Sequence, residues 1–361
     1  MHLLPRDLHS LDDAGAATDL GQTPADIVFL SFSDSELRLV ARLHERDGAQ
    51  LPSLRCASLA QLKHPYSVDL YIDSVMRHAK LIVVRLLGGK DYWAYGVEQL
   101  EALARVNNIA LAIVPGDALD DPRLTAASTH DAKTLRRIWS FFQDGGPDNL
   151  RSFLAYAATL TGTPTPWGES VAIANAGRFE AGCRTARQEN ARATLVFYRS
   201  IYLADDAAPV VALSDALHER GFSVDALYVS SLKDSESEAF VAQALKAFAP
   251  DVVINATAFS ARRDAGSVLD LADAPVLQVA LATATHDAWQ ASARGANGAD
   301  LAMNVVLPEV DGRIFTRAIS FKEAETARGL AEFNDVRHAP QLSRIAFVAD
   351  LASNWARLRR K

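Results

Sequence analysis

Short, wholly apolar runs alternate with amphipathic segments along this chain, and the alternation occurs twice. The first set is Asp26-Ile-Val-Phe-Leu-Ser31, Leu81-Ile-Val-Val-Arg-Leu86 and Ile109-Ala-Leu-Ala-Ile-Val114. Runs of this length with no polar face suit strands buried on both sides. Between them, Leu37, Val40, Ala41 and His44, then Val68, Ile72, Val75 and Met76, then Val97, Leu100, Leu103 and Ala104 recur at helical spacing. Ser33 to Glu36 has capping-box spacing, and Asp91 is placed to cap the third helix. The order restarts with strands at Thr194–Tyr198, Ser223–Val229, Asp251–Ile254 and Pro275–Ala280. A further strand is expected at Leu301–Leu307, and Leu342 to Ala352 reads as a closing amphipathic helix. Strand–helix alternation of this kind predicts two successive open, mostly parallel, flavodoxin- or Rossmann-like α/β modules.

The stretch between the sets sharpens the division. Leu135, Ile138, Trp139 and Phe142 fit one helix, and Leu150, Phe153, Leu154 and Ala157 another. Thr161-Gly-Thr-Pro-Thr-Pro-Trp-Gly168 is punctuated by Pro and Gly, and 175–192 is polar and aperiodic. The expected organisation is an N-terminal α/β domain at 1–165 with a helical end at 131–160, and a linker at 166–192. A second α/β domain at 193–335 follows, with a helix at 336–361 leading into a downstream region.

Charge and motif content narrow the function. With 44 acidic against 37 basic side chains, the net charge is −7, unfavourable for general phosphate-backbone binding. No apolar run reaches the roughly 18 residues of a membrane span, and no basic-then-apolar leader is visible at the start, so the expected location is the cytoplasm. The two cysteines, Cys56 and Cys183, lie far apart and read as reduced thiols. There is no CxxC, HExxH or HxH, and no GxxxxGK[ST] nucleotide loop.

Four segments carry a resemblance. They are Arg85-Leu-Leu-Gly-Gly-Lys-Asp-Tyr-Trp-Ala-Tyr-Gly96, Thr194-Leu-Val-Phe-Tyr-Arg-Ser-Ile-Tyr-Leu203, the run from Ala302 to Phe321 containing Leu-Pro-Glu-Val-Asp-Gly, and Arg344-Ile-Ala-Phe-Val-Ala-Asp-Leu-Ala-Ser-Asn-Trp355. In this order the chain resembles the CobN/magnesium-chelatase H-subunit family, on its aerobic cobaltochelatase side. The resemblance implies the N-terminal portion of a longer large subunit that binds a tetrapyrrole and a metal. The implied reaction inserts cobalt(II), as substrate metal, into hydrogenobyrinic acid a,c-diamide during aerobic cobalamin synthesis. ATP would be hydrolysed by partner subunits forming an AAA-type motor. A fragment of this length is not expected to insert metal alone. Alternatives are a non-catalytic assembly arm of the same subunit and a magnesium chelatase acting on protoporphyrin.

Metal insertion needs a carboxylate or imidazole to accept pyrrole protons and hand over a hydrated cation. The resemblance favours Glu309 as that catalytic group, at the expected carboxyl end of the strand Leu301–Leu307. The structural alternative is a turn carboxylate held by Arg313 or by amides near Gly312. Asp311 reads more simply as a turn residue. Arg313 and Arg317 are candidates for binding acidic macrocycle side chains, against ordinary salt bridging. Arg199, just after a strand, is a third substrate-binding candidate. Tyr92 and Trp93 are stacking candidates against the planar ring, although aromatics at helical spacing are more often core. His286 is the histidine best placed by topology to contact metal, though a lone histidine is more often a cap or surface residue. Gly88-Gly89-Lys90 reads as a tight turn.

Overall fold

The computed structural model describes residues 17–117, 119–186, 191–263, 266–292, 298–324, 331–333 and 336–360. The chain divides into two compact units. One holds the residues up to Ala172 together with 331–333, the other those from Ile173 to Glu325 and from Val336 onward.

The first unit is built on β1 (Ile27–Ser31), β2 (Leu54–Ser58), β3 (Leu81–Leu86) and β4 (Ala110–Pro115), all parallel, in the order β2-β1-β3-β4. Period-2 geometry decides which side chain meets which layer. Ile27 and Phe29 pack on one face beneath the helices Asp34–Asp47, Ala132–Asp144 and Pro147–Leu160. Val28 and Leu30 pack on the other, beneath Pro65–Ser74 and Ala94–Asn107. Burial on both faces is why these strands read as unbroken apolar runs. Ala331 joins the first of these cores, and its carbonyl accepts from the Cys56 amide.

The second unit repeats the plan and extends it. Its strands are β5 (Ala176–Arg178), β6 (Ala191–Tyr198), β7 (Phe222–Val229), β8 (Val252–Asn255), β9 (Val276–Thr285), β10 (Ile314–Ala324) and β11 (Val336–Pro340). The sheet order is β11-β10-β9-β8-β6-β7-β5, with antiparallel pairing only at the two edges. Its parallel part, β7-β6-β8-β9-β10, repeats the 2-1-3-4 order of the first unit and adds a fifth strand. This is the flavodoxin-like arrangement, with its topological switch point between β6 and β8. Leu195 and Phe197 face the helices Ala208–Glu219 and Leu342–Arg359, and Val196 faces Ser235–Phe248.

Three local expectations are corrected. Leu301–Leu307 is not a strand. It lies in a helical stretch running Gly298–Leu301, then π-helical Ala302–Val306, then Leu307–Val310. A short apolar run fits either period, and Val306 and Leu307 stand exposed where a central strand would bury them. Pro308 brings no N–H to the carbonyl of Asn304, and the helix is widened in the turn before it. The outer parallel position belongs to β10, whose Arg317 and Lys322 disguise it as a polar segment. Asp91 caps no helix: it sits in a 3-10 turn, Lys90–Trp93, and pairs with Arg123 at 2.8 Å. At Ser33 only half a capping box forms, because Glu36 turns instead toward Arg85.

Candidate functional site

In a doubly wound sheet, ligands bind outside the carboxyl ends of the strands at the switch point, where neighbouring connections diverge. The two units treat this place differently. In the first, β1 and β3 end beside a buried ion pair: the Arg85 guanidinium lies 2.7 Å from the Glu36 carboxylate. Arg85 also donates to the carbonyl of Pro115 and lies over the Phe142 ring, while Ser31 donates to Glu36. A hollow of about 390 Å³ lies next to them at the ends of β3 and β4, lined by Gly88, Gly89, Pro115 and Asp121 among others.

In the second unit the same place is a hollow of about 220 Å³, lined by Tyr198 at the end of β6, Ser231 and Lys233 beyond β7, and 257–261 beyond β8. Its lining residues Thr257, Ser260 and Ala261 belong to a connected polar network. Asn255 and Gln278 are register partners on β8 and β9, each fully buried. Asn255 donates to Gln278 at 2.8 Å and to the Thr257 carbonyl at 3.0 Å, and Gln278 donates to that carbonyl at 2.9 Å. Thr257 returns its hydroxyl to Asn255. Arg313 donates to Gln278 and, at 2.8 Å, to Asp311. Asp311 in turn accepts from the Ser260 hydroxyl and the Ala261 amide. The loop beyond β8 is thus tied down from below. Phe259 holds a left-handed backbone (φ 65°), a conformation that persists only where surroundings fix it, and its amide donates to the Met303 carbonyl.

Electrostatics distinguish this network from an ordinary core. Arg313 is 4% exposed and its Nε has no partner among the described residues. Burial pulls its guanidinium below the usual arginine range, opposed by the adjacent Asp311 charge. Burial pushes the Tyr198 phenol up to about 12, with nearby Arg313 acting the other way. Tyr198 therefore stays neutral and donates to the Ala258 carbonyl at 2.8 Å.

The sequence candidates are dispersed over the two units. Glu309 is exposed, in the last turn of Leu307–Val310, and makes no ion pair among the described residues. The carboxylate held by Arg313 is Asp311, not Glu309, so the Glu-Val-Asp run divides into one available and one committed group. Arg313 lies beneath the hollow, spent on Asp311 and Gln278. Arg317 stacks over Phe347 at 4.0 Å. Arg199 donates to the carbonyls of Ile173 and Ala174. His286 opens the helix His286–Ala291 and packs against Trp289 and Phe321. In the first unit, Tyr92 is 57% exposed and meets the edge of Phe32, whereas Trp93 is core, donating to the Leu62 carbonyl. Gly88 and Gly89 (φ 83° and 77°) form the expected turn. Among the described residues, no three His, Cys, Asp or Glu side chains come together as metal ligands. No helix among them is long and apolar enough to cross a membrane.

The residues the sequence did not bring forward are Asn255, Thr257, Gln278 and Ser260. A signal existed: Gln278 is a single amide inside an apolar strand run and Asn255 ends another, and buried strands tolerate such amides only where they find partners.

Comparison with known proteins places the whole arrangement. Residues 139–361 match the CobN/Magnesium Chelatase family model. The aerobic cobaltochelatase subunit CobN of Sinorhizobium sp is 42% identical over 381 aligned positions, covering all of this chain and 30% of that protein. The aerobic cobaltochelatase subunit CobN of Pseudomonas aeruginosa is 35% identical, with the same coverages. The catalytic subunit of cobaltochelatase from Mycobacterium tuberculosis superposes with a TM-score of 0.74 at 26% identity, over 93% of this chain and 27% of that one. The chain therefore spans about 30% of the length of the curated relatives it matches.

Proposed function

The chain belongs to the CobN/magnesium chelatase family, and from that premise we propose that it works as part of the large subunit of a cobaltochelatase. The reaction is insertion of cobalt(II), the substrate metal, into hydrogenobyrinic acid a,c-diamide in aerobic cobalamin biosynthesis. ATP hydrolysis falls to AAA-type partner subunits. The observation that carries this reading is identity running through the entire chain to two cobaltochelatase subunits.

Within that reading, Glu309 is the carboxylate offered to the reaction. An exposed carboxylate without an ion-pair partner can accept a pyrrole proton or a hydrated cation, and a carboxylate already holding a guanidinium cannot. Arg317, Tyr92 and His286, each partly exposed, are the remaining side chains able to meet a ligand.

A second reading, an assembly arm without chelation residues, draws support from Asp311, Arg313 and Arg199, all committed to internal bonds. The two separate on a titration. Hydrogenobyrinic acid a,c-diamide is added to the 361-residue chain while tryptophan fluorescence is followed. Saturable quenching supports a tetrapyrrole-contacting role, and its absence at high micromolar ligand supports the arm. Cobalt insertion by the full subunit with its partners, carrying Glu309→Ala, then tests the carboxylate. Insertion at the wild-type rate would remove Glu309 from the chemistry.

A further inference from the structure

We propose that the switch-point hollow of the second unit is a binding site for a small anion of carboxylate or phosphate size. The position is the one at which doubly wound sheets take ligands. A hollow of about 220 Å³ admits a group of four or five heavy atoms and excludes a macrocycle.

The one charged side chain in its lining is a lysine. Lys233 lines it and Arg262 adjoins its lining residue Ala261. Both are exposed, and neither makes an ion pair among the described residues. Arg313 lies beneath. The nearby carboxylates are already occupied. Asp311 accepts from Ser260, Ala261 and Arg313, and Asp234 caps the helix Ser235–Phe248 through the Ser237 amide. A cation would meet the Lys233 ammonium, with the Arg313 charge already balanced by Asp311. An anion would meet the Lys233 ammonium and the Ser231 hydroxyl at walls fixed in advance by the Asn255–Gln278–Arg313 network, which lowers the ordering cost of binding.

The chemistry has two sources, a free anion or an acidic arm on a larger ligand, and the site itself is independent of metal insertion. The test titrates the 361-residue chain with sodium phosphate and with sodium acetate at constant ionic strength, reading amide chemical shifts. Saturation is expected at about 1 mM, as for a ligand of a few heavy atoms. Shifts should centre on 231–233 and 257–261, and K233A/R262A should weaken binding at least tenfold while leaving the thermal midpoint unchanged. Absence of saturation in the tens of millimolar, or saturation unaffected by K233A/R262A, would overturn the proposal. Repeating the fluorescence titration with hydrogenobyrinic acid a,c-diamide in saturating acetate identifies the source. Competition means an acidic arm of that ligand, and unchanged affinity means a free anion. If the tetrapyrrole fails to bind while acetate still does, the site stands and the tetrapyrrole-contacting reading of this segment falls.

Discussion

Replacing Asp311 by alanine is the sharpest probe of the second unit. The side chain is 1% exposed and its partner Arg313 2%, with 2.8 Å between them. Removing it leaves a buried guanidinium with Gln278 as its sole acceptor and strips the acceptor from Ser260 and Ala261. Breaking one side of a buried pair costs about 3–5 kcal/mol, because the surviving charge stays desolvated. Replacing both members avoids that term. Asp311→Ala with Arg313→Met should lose only about 2 kcal/mol, the remainder being the two orphaned donors. Urea unfolding with the tryptophans of this unit, Trp289 and Trp355, as reporters would measure both. At a slope of about 2 kcal/mol per molar urea, the single variant should unfold ~2 M earlier than wild type and the double about 1 M earlier. A single variant within about 1 kcal/mol of wild type, or a double no better than the single, would refute the view that Asp311 exists to neutralise Arg313.

Other consequences follow from the same structure. Glu309→Ala should shift stability by no more than about 0.5 kcal/mol, since the group is exposed, so any loss of cobalt insertion reports on chemistry; melting curves beside insertion assays check this. In the first unit, His44 is buried, its Nε2 lies 2.8 Å from the Pro52 carbonyl, and its Nδ1 has no partner. Burial lowers its pKa in the folded state, so the unfolded chain binds the proton first. Stability is then intact above about pH 6.5 and falls below it, by up to ~1.4 kcal/mol per pH unit until the folded-state value is reached. Urea titrations at pH 7.5 and 5.5 should show the drop, and His44→Gln should flatten it. Gly96→Ala would drive a methyl into the Trp93 ring, and overpacking of this kind should cost about 1–3 kcal/mol in a thermal melt.

The strands and helices of both units were legible in the sequence because each obeys a local rule. β1, β3, β4, β6 and β8 are buried on both faces, and continuous apolar runs announce that. The helices between them carry one apolar stripe, and even the duplicated 2-1-3-4 order is foreshadowed by the repeated succession of elements. Legibility ended where environment outweighed pattern. Leu301–Leu307 was as apolar as a strand yet lies at the surface, and β10 is a strand disguised by Arg317 and Lys322.

What the chain determined by itself was its layers, since hydrophobic periodicity is a property of neighbours in sequence. Only the folded molecule decided which side chains meet at the strand ends. Glu36 and Arg85 lie 49 positions apart, Ser260 and Asp311 51, and Gln278 and Arg313 35. No local spacing connects such pairs, and their worth comes from desolvation, a quantity that exists only after the sheets have closed around them.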